Sequence, residues 1–148
     1  MTGRVPALAA IAAALLAGGC GGGGGGGQSD KQKIETTVTT YYKAFGTSDS
    51  ATACNQLAEQ TTKELERAAG GRKCPVVLDQ AAKKPEYAKV AAKLDGVKVV
   101  SVKITGTTAT ATTQVPGLTA AGGTGVSTTV PLKKEAGGWK IASTIGEG

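Results

Sequence analysis

From Asp30 onward the apolar positions recur every three to four residues, and past Asp95-Gly96 they recur every second residue. Ile34, Val38, Tyr41 and Phe45 fall within about 60° of one another when wound at about 100° per residue, with Tyr42 at the edge of the stripe. This pattern predicts a helix over residues 30–45. The threonines around Val38 favour a strand by propensity. Ser29 followed three residues later by Gln32 has the form of a capping box, however, and Gly46 offers a stop. Ser48-Asp49-Ser50 then caps a short second helix through Ala53, Cys54, Leu57 and Ala58. A third helix opens at Thr61 and Glu64 and ends at Gly70-Gly71, and a fourth starts at Cys74-Pro75 and runs to Lys84. Pro85 to Leu94 reads as a further amphipathic segment with Tyr87, Val90, Ala91 and Leu94 inward.

Alternation then predicts strands. Val97–Val99 and Val100–Ile104 alternate with a phase slip between them, which reads as a bulge. After a turn at Gly106, Ala109, Ala111, Thr113 and Val115 share one face, and Thr108, Thr110 and Thr112 form the solvated face opposite. Residues 116–125 read as a loop. Val126, Thr128, Val130 and Leu132 mark a third strand, Glu135 to Gly138 a hairpin turn, and residues 139–144 a fourth strand. Helices followed by consecutive antiparallel strands predict an α+β domain in which the N-terminal helices pack on a curved sheet of about four strands.

Residues 1–19 follow a different pattern. Arg4 precedes an unbroken apolar stretch from Ala7 to Ala17, and small residues follow. Eleven apolar residues fall short of the roughly 20 that a helix needs to cross a bilayer, so this segment reads as a signal peptide that is removed. Leu16-Ala17-Gly18-Gly19-Cys20 resembles the lipobox of bacterial lipoproteins. That resemblance implies cleavage before Cys20, a diacylglyceryl group on its sulfur, and attachment to the extracytoplasmic face of the cell membrane. An ordinary secretory signal with an incidental Cys20 is the alternative reading. Residues 20–29, with seven consecutive glycines, read as a tether with a root-mean-square span of about 15–18 Å. Residues 30–145 are then the domain.

Three cysteines are an odd count for an exported chain. With Cys20 lipidated, Cys54 and Cys74 remain and can pair in an oxidising compartment. Such a bond closes a loop of about twenty residues and stabilises by roughly 3 kcal/mol in the chain-entropy model. A redox pair or a metal site are the alternatives, but the chain has neither a CxxC motif nor a histidine. No cofactor and no metal are expected. Without Arg4, sixteen basic residues stand against eleven acidic ones, scattered and without interleaved aromatic residues. That is a solvated surface and not a nucleic-acid platform.

The helix TTVTTYYKAF followed by GTSDSATAC, the cysteine in RKCP, the strands VKVVSVKITGTTATATT and the hairpin VSTTVPLKKEAGGWKIAS together resemble the NTF2-like (cystatin-like) domains of small lipoproteins from high-GC Gram-positive bacteria. The resemblance implies a sheet curled around the first helix into a cone with an open-ended pocket, for which Tyr41, Tyr42, Phe45 and Trp139 are the candidate lining residues. The helical spacing of Tyr41, Tyr42 and Phe45 reads first as core packing, and Trp139, just after the hairpin, reads as closing the end of the core, with an exposed anchor for a partner as the alternative. Some proteins of this fold, such as ketosteroid isomerase, are enzymes that use a tyrosine together with pocket carboxyl groups. Here the strand stretches 97–104, 107–115 and 126–132 contain no Asp or Glu, so no catalytic residues are assigned. The expected function is a membrane-anchored, non-catalytic module that binds a small apolar ligand or an envelope protein. A structural or assembly accessory of a membrane complex is the alternative, and an isomerase-like enzyme the third reading.

Overall fold

The computed structural model describes residues 28–119 and 125–143. The expected signal peptide, Cys20 and the glycine run lie outside the described residues. Five helices precede four strands: α1 Asp30–Gly46, α2 Ser50–Asn55, α3 Glu59–Ala68, α4 Cys74–Ala82, α5 Pro85–Leu94, β1 Lys98–Thr105, β2 Thr108–Thr119, β3 Gly125–Glu135 and β4 Gly138–Ile141. The strands form one antiparallel sheet in the order β1-β2-β3-β4. The chain is thus an α+β domain with its helices on a four-stranded antiparallel sheet.

The capping box at the start of α1 is present. The Gln32 amide donates to Ser29 Oγ at 3.3 Å, and the Ser29 amide donates to Gln32 Oε1 at 3.0 Å. The helical stripe is buried as its spacing requires: Ile34 and Val38 are fully inside, with Tyr41, Tyr42 and Ala44 nearly so. Burial of an Ile or Val side chain stabilises by about 1.5–3 kcal/mol, which outweighs the modest strand preference of the neighbouring threonines. Thr37 shares that face, and its hydroxyl is satisfied by donating to the Trp139 carbonyl at 3.2 Å. Opposite α1, the sheet contributes Ala109, Ala111, Thr113 and Val115 from β2, Val130 and Leu132 from β3, and Trp139 and Ile141 from β4.

Several expected boundaries differ, and so does one expected burial; among them, the fourth strand ends at Ile141. The second helix stops at Asn55, short of Ala58, because β4 captures the next backbone groups: Ile141 N–H donates to the Gln56 carbonyl at 2.8 Å, and Ala58 N–H to the Ile141 carbonyl at 2.8 Å. The third helix starts at Glu59, not Thr61, and the Glu59 amide donates to the Glu135 carboxylate at 3.4 Å. β2 continues through Pro116 to Thr119, where a loop was expected. The register shifts between Val115 and Thr119, so the missing Pro116 N–H falls in an irregularity, and Gly117 takes φ 72°. Tyr87, expected inward, is 42% exposed, because α5 buries only Leu94. The bulge expected in the first strand is present, with the register slipping at Val100 between Val99 and Ser101.

The close approach of α5 to α1 depends on Gly46, where a Cβ would stand 2.8 Å from the Ala91 carbonyl oxygen. Cys54 and Cys74 form a disulfide with their Cα atoms 6.1 Å apart, tying α2 to the first turn of α4.

Candidate functional site

Three of the four aromatic residues expected to line a pocket form one group. On α1, Tyr41 and Tyr42 meet edge to face at 5.5 Å, Tyr41 and Phe45 stack at 6.3 Å, and Phe45 meets Tyr87 of α5 edge-on at 6.0 Å. Tyr41 and Tyr42 are core residues, whereas Phe45 is half-buried. Val90 of α5, Val99 of β1 and Leu118 of β2 are likewise half-buried against the core. This end of the sheet is left partly uncovered.

The phenols sit where charge is unwelcome. Burial first, then the neighbouring Tyr42 and Tyr87, push the Tyr41 hydroxyl up to about 12. Burial also raises Tyr42, while the nearby Thr113 hydroxyl pulls it the other way. Thr113 Oγ1 donates to the Thr128 carbonyl at 3.1 Å, and the Tyr42 hydroxyl has no hydrogen-bond partner of ordinary geometry. Thr113 therefore acts on Tyr42 as a neighbouring dipole and not through a formed bond. A buried hydroxyl in that condition is the place where a water or a polar ligand atom would be welcome.

Trp139 does not join this group. It stands at the opposite end of α1, 3% exposed, beside Asp30 and Lys134. The Lys134 ammonium is 2.9 Å from the Asp30 carboxylate and 5.7 Å from the centre of the indole ring. Lys134 foremost, and the indole N–H leaning toward Asp30 without a formed hydrogen bond, hold the Asp30 carboxyl below its usual range. These contacts fasten the first turn of α1 to the β3–β4 hairpin.

Two adjoining surface clefts of about 350 and 520 Å³ lie between α3, α2, α4 and the end of β3, and none of the four expected aromatic residues lines either. Glu59, Lys63 and Glu135 line both, and the Cys54–Cys74 bridge lies in the wall of the larger. Their charges are matched within the cleft: Lys63 reaches Glu59 at 2.5 Å and Lys133 reaches Glu135 at 3.0 Å. The Lys63 contact lowers Glu59, and Glu59 in return raises Lys63. Every carboxyl shift that is resolved, at Asp30, Asp49 and Glu59, is downward, the opposite of what a general acid at neutral pH requires. The sequence did not point to these clefts. Its one local trace is the four-residue spacing of Glu59 and Lys63, since Glu135 arrives from the far end of the chain.

The class defined by these elements is an α+β domain with a long helix laid on an antiparallel sheet, filled at one end and half-open at the other. No family model matches the chain, and no curated protein matches it. Among solved structures it is similar to an NTF2-like protein with a cystatin-like fold from Novosphingobium aromaticivorans, at 14% identity over 77% of this chain and 78% of that one, with a TM-score of 0.45. It is also similar to a Campylobacter jejuni protein described as an NTF2-like transpeptidase, at 13% identity over 78% of this chain and 100% of that one, with a TM-score of 0.46. Neither likeness is carried over to the chemistry of this chain.

Proposed function

We propose that the chain is a lipid-anchored, extracytoplasmic, non-catalytic binding module of NTF2-like type, and that its ligand is an envelope protein held at the half-open end. Anchoring is supported by the apolar run, the small residues before Cys20 and the closeness of Cys20 to the start of the domain. The observation that carries the choice of ligand is the filled interior: Tyr41, Tyr42 and Trp139 occupy the space between α1 and the sheet. Apolar surface remains instead at the rim, on Phe45, Tyr87, Val90 and Leu118. A rim of that kind suits a protein surface better than an enclosed small molecule. The small-ligand reading has one observation of its own, the unpartnered Tyr42 hydroxyl beside Thr113.

Native mass spectrometry of the full chain extracted from its own envelope tests the reading. The expected species begins at Cys20, carries the mass of a diacylglyceryl group, retains one internal disulfide and brings no small molecule with it. An apolar compound retained in stoichiometric amount would transfer the assignment to the small-ligand reading. An unmodified Cys20 would remove the anchor.

A further inference from the structure

We infer that the end of the domain formed by the first turn of α1 and the β1–β2 and β3–β4 turns rests on the bilayer, and that this surface fits anionic phospholipid headgroups. The inference depends on the anchor at Cys20 proposed above and adds to it a face and a lipid class.

The start of α1 is not free to choose its position. Asp30 is held by Lys134, and the Lys134 backbone N–H donates to the Thr107 carbonyl at 2.7 Å, so the helix start and both turns form one fixed end. Nine residues separate Cys20 from Asp30, and even fully extended they reach no further than about 36 Å. The 17 residues of α1 are about 26 Å long. Presenting the α5 end to the membrane would require the linking residues to run nearly straight past the whole helix, which excludes most of the paths open to them.

The surface at the fixed end is suited to what it would meet. It carries Lys31, Lys33, Lys103, Lys133 and Lys134 against Asp30, Glu35 and Glu135, with Glu59 beside Glu135, and each carboxylate is already held by a lysine: Asp30 by Lys134 at 2.9 Å, Glu35 by Lys31 at 3.9 Å, Glu135 by Lys133 at 3.0 Å and Glu59 by Lys63 at 2.5 Å. Among the described residues, Lys33 and Lys103 have no carboxylate partner. Ile104, next to Lys103, pairs in register with the buried Ala109 yet is 40% exposed. An apolar tip flanked by ammonium groups matches the boundary between headgroups and acyl chains, where the ammonium groups meet lipid phosphate. The α5 end is also basic, through Lys84, Lys89 and Lys93, so charge alone does not select the face. The point where the chain leaves the domain does.

The test uses the full lipidated chain in phosphatidylglycerol/phosphatidylcholine vesicles, in pure phosphatidylcholine vesicles and in detergent, with flotation to measure anchoring and amine acetylation read by mass spectrometry to measure exposure. In the phosphatidylglycerol vesicles, Lys31, Lys33 and Lys103 are expected to lose most of their labelling while Lys84 and Lys89 label as in detergent. Protection should weaken in pure phosphatidylcholine. Lys103→Gln should lower the docked population about fivefold, the equivalent of ~1 kcal/mol for one lysine at an anionic surface, without releasing the chain. If the chain floats but Lys31, Lys33 and Lys103 label like Lys84, the docking surface is overturned and the anchor stands. Equal protection in both vesicle types would overturn the anionic lipid class. A chain that fails to float removes the anchor and this inference with it.

Discussion

The two ends of α1 are built on opposite plans. At its start, Asp30, Lys134, Trp139 and the Thr37–Trp139 contact lock helix to hairpin, and Ile34 and Leu132 are almost wholly excluded from solvent. At its finish, Gly46 lets α5 come close, but α5 buries little beyond Leu94 and leaves Phe45, Val90 and Leu118 half-covered. Fully buried side chains therefore stand at the start of α1, and half-covered ones at its finish.

Truncation of side chains should expose the contrast most strongly. Ile34→Ala or Leu132→Ala is expected to cost about 3–4 kcal/mol, whereas Leu118→Ala at the half-open end should cost about 1 kcal/mol because less area is lost; urea unfolding of each variant measures both. Equal costs would erase the difference between the ends. Next in size is the disulfide. Cys54→Ser and Cys74→Ser should each destabilise by roughly 3 kcal/mol and to the same extent, and the double variant should add little. Thermal unfolding of the three variants would read unequal effects as a sign that the two sulfurs act separately.

The buried phenol gives a pH-dependent prediction. Tyr41 ordinarily titrates at 10.0 and is raised to about 12 here, so the folded state favours the protonated phenol. Its contribution is complete below pH 10 and is lost as the pH rises toward 12, up to about 2–3 kcal/mol in all. In Tyr41→Phe that part of the alkaline loss should be missing from denaturant curves measured from about pH 9 to about pH 12. The smallest effect belongs to the exposed Asp30–Lys134 pair. The Asp30 carboxyl is lowered from 3.8, so its contribution is present above that value and fades as the pH falls through the depressed one. Asp30→Asn should therefore lower stability slightly at neutral pH, leave it unchanged at the acid extreme, and so flatten the acid limb of a stability profile.

Much of the fold was legible because it is written locally. The α1 stripe, its capping box, the slip at Val99–Ser101 and the buried face of Ala109, Ala111, Thr113 and Val115 all follow from neighbours a few residues apart. The errors share a cause, which is capture by distant chain. Residues 56–58 leave the helix pattern because Ile141 pairs with them, and β2 passes through Pro116 because β3 accommodates the irregularity. The candidate site was legible in part. The period of α1 located Tyr41, Tyr42 and Phe45, but nothing local told that Trp139 would join Asp30 at the opposite end, or that Tyr87 would remain outside. Cys54 and Cys74 were legible by arithmetic, and they are joined.

Hydrogen exchange across the full chain, resolved by element, tests the asymmetry most directly. Amides of α1 around Ile34 and Val38 and of β3 around Val130 and Leu132 should exchange only through global unfolding, while those of α5 should exchange through far cheaper local opening. Protection of α5 equal to that of α1 and β3 would contradict it, because both ends would then be equally locked.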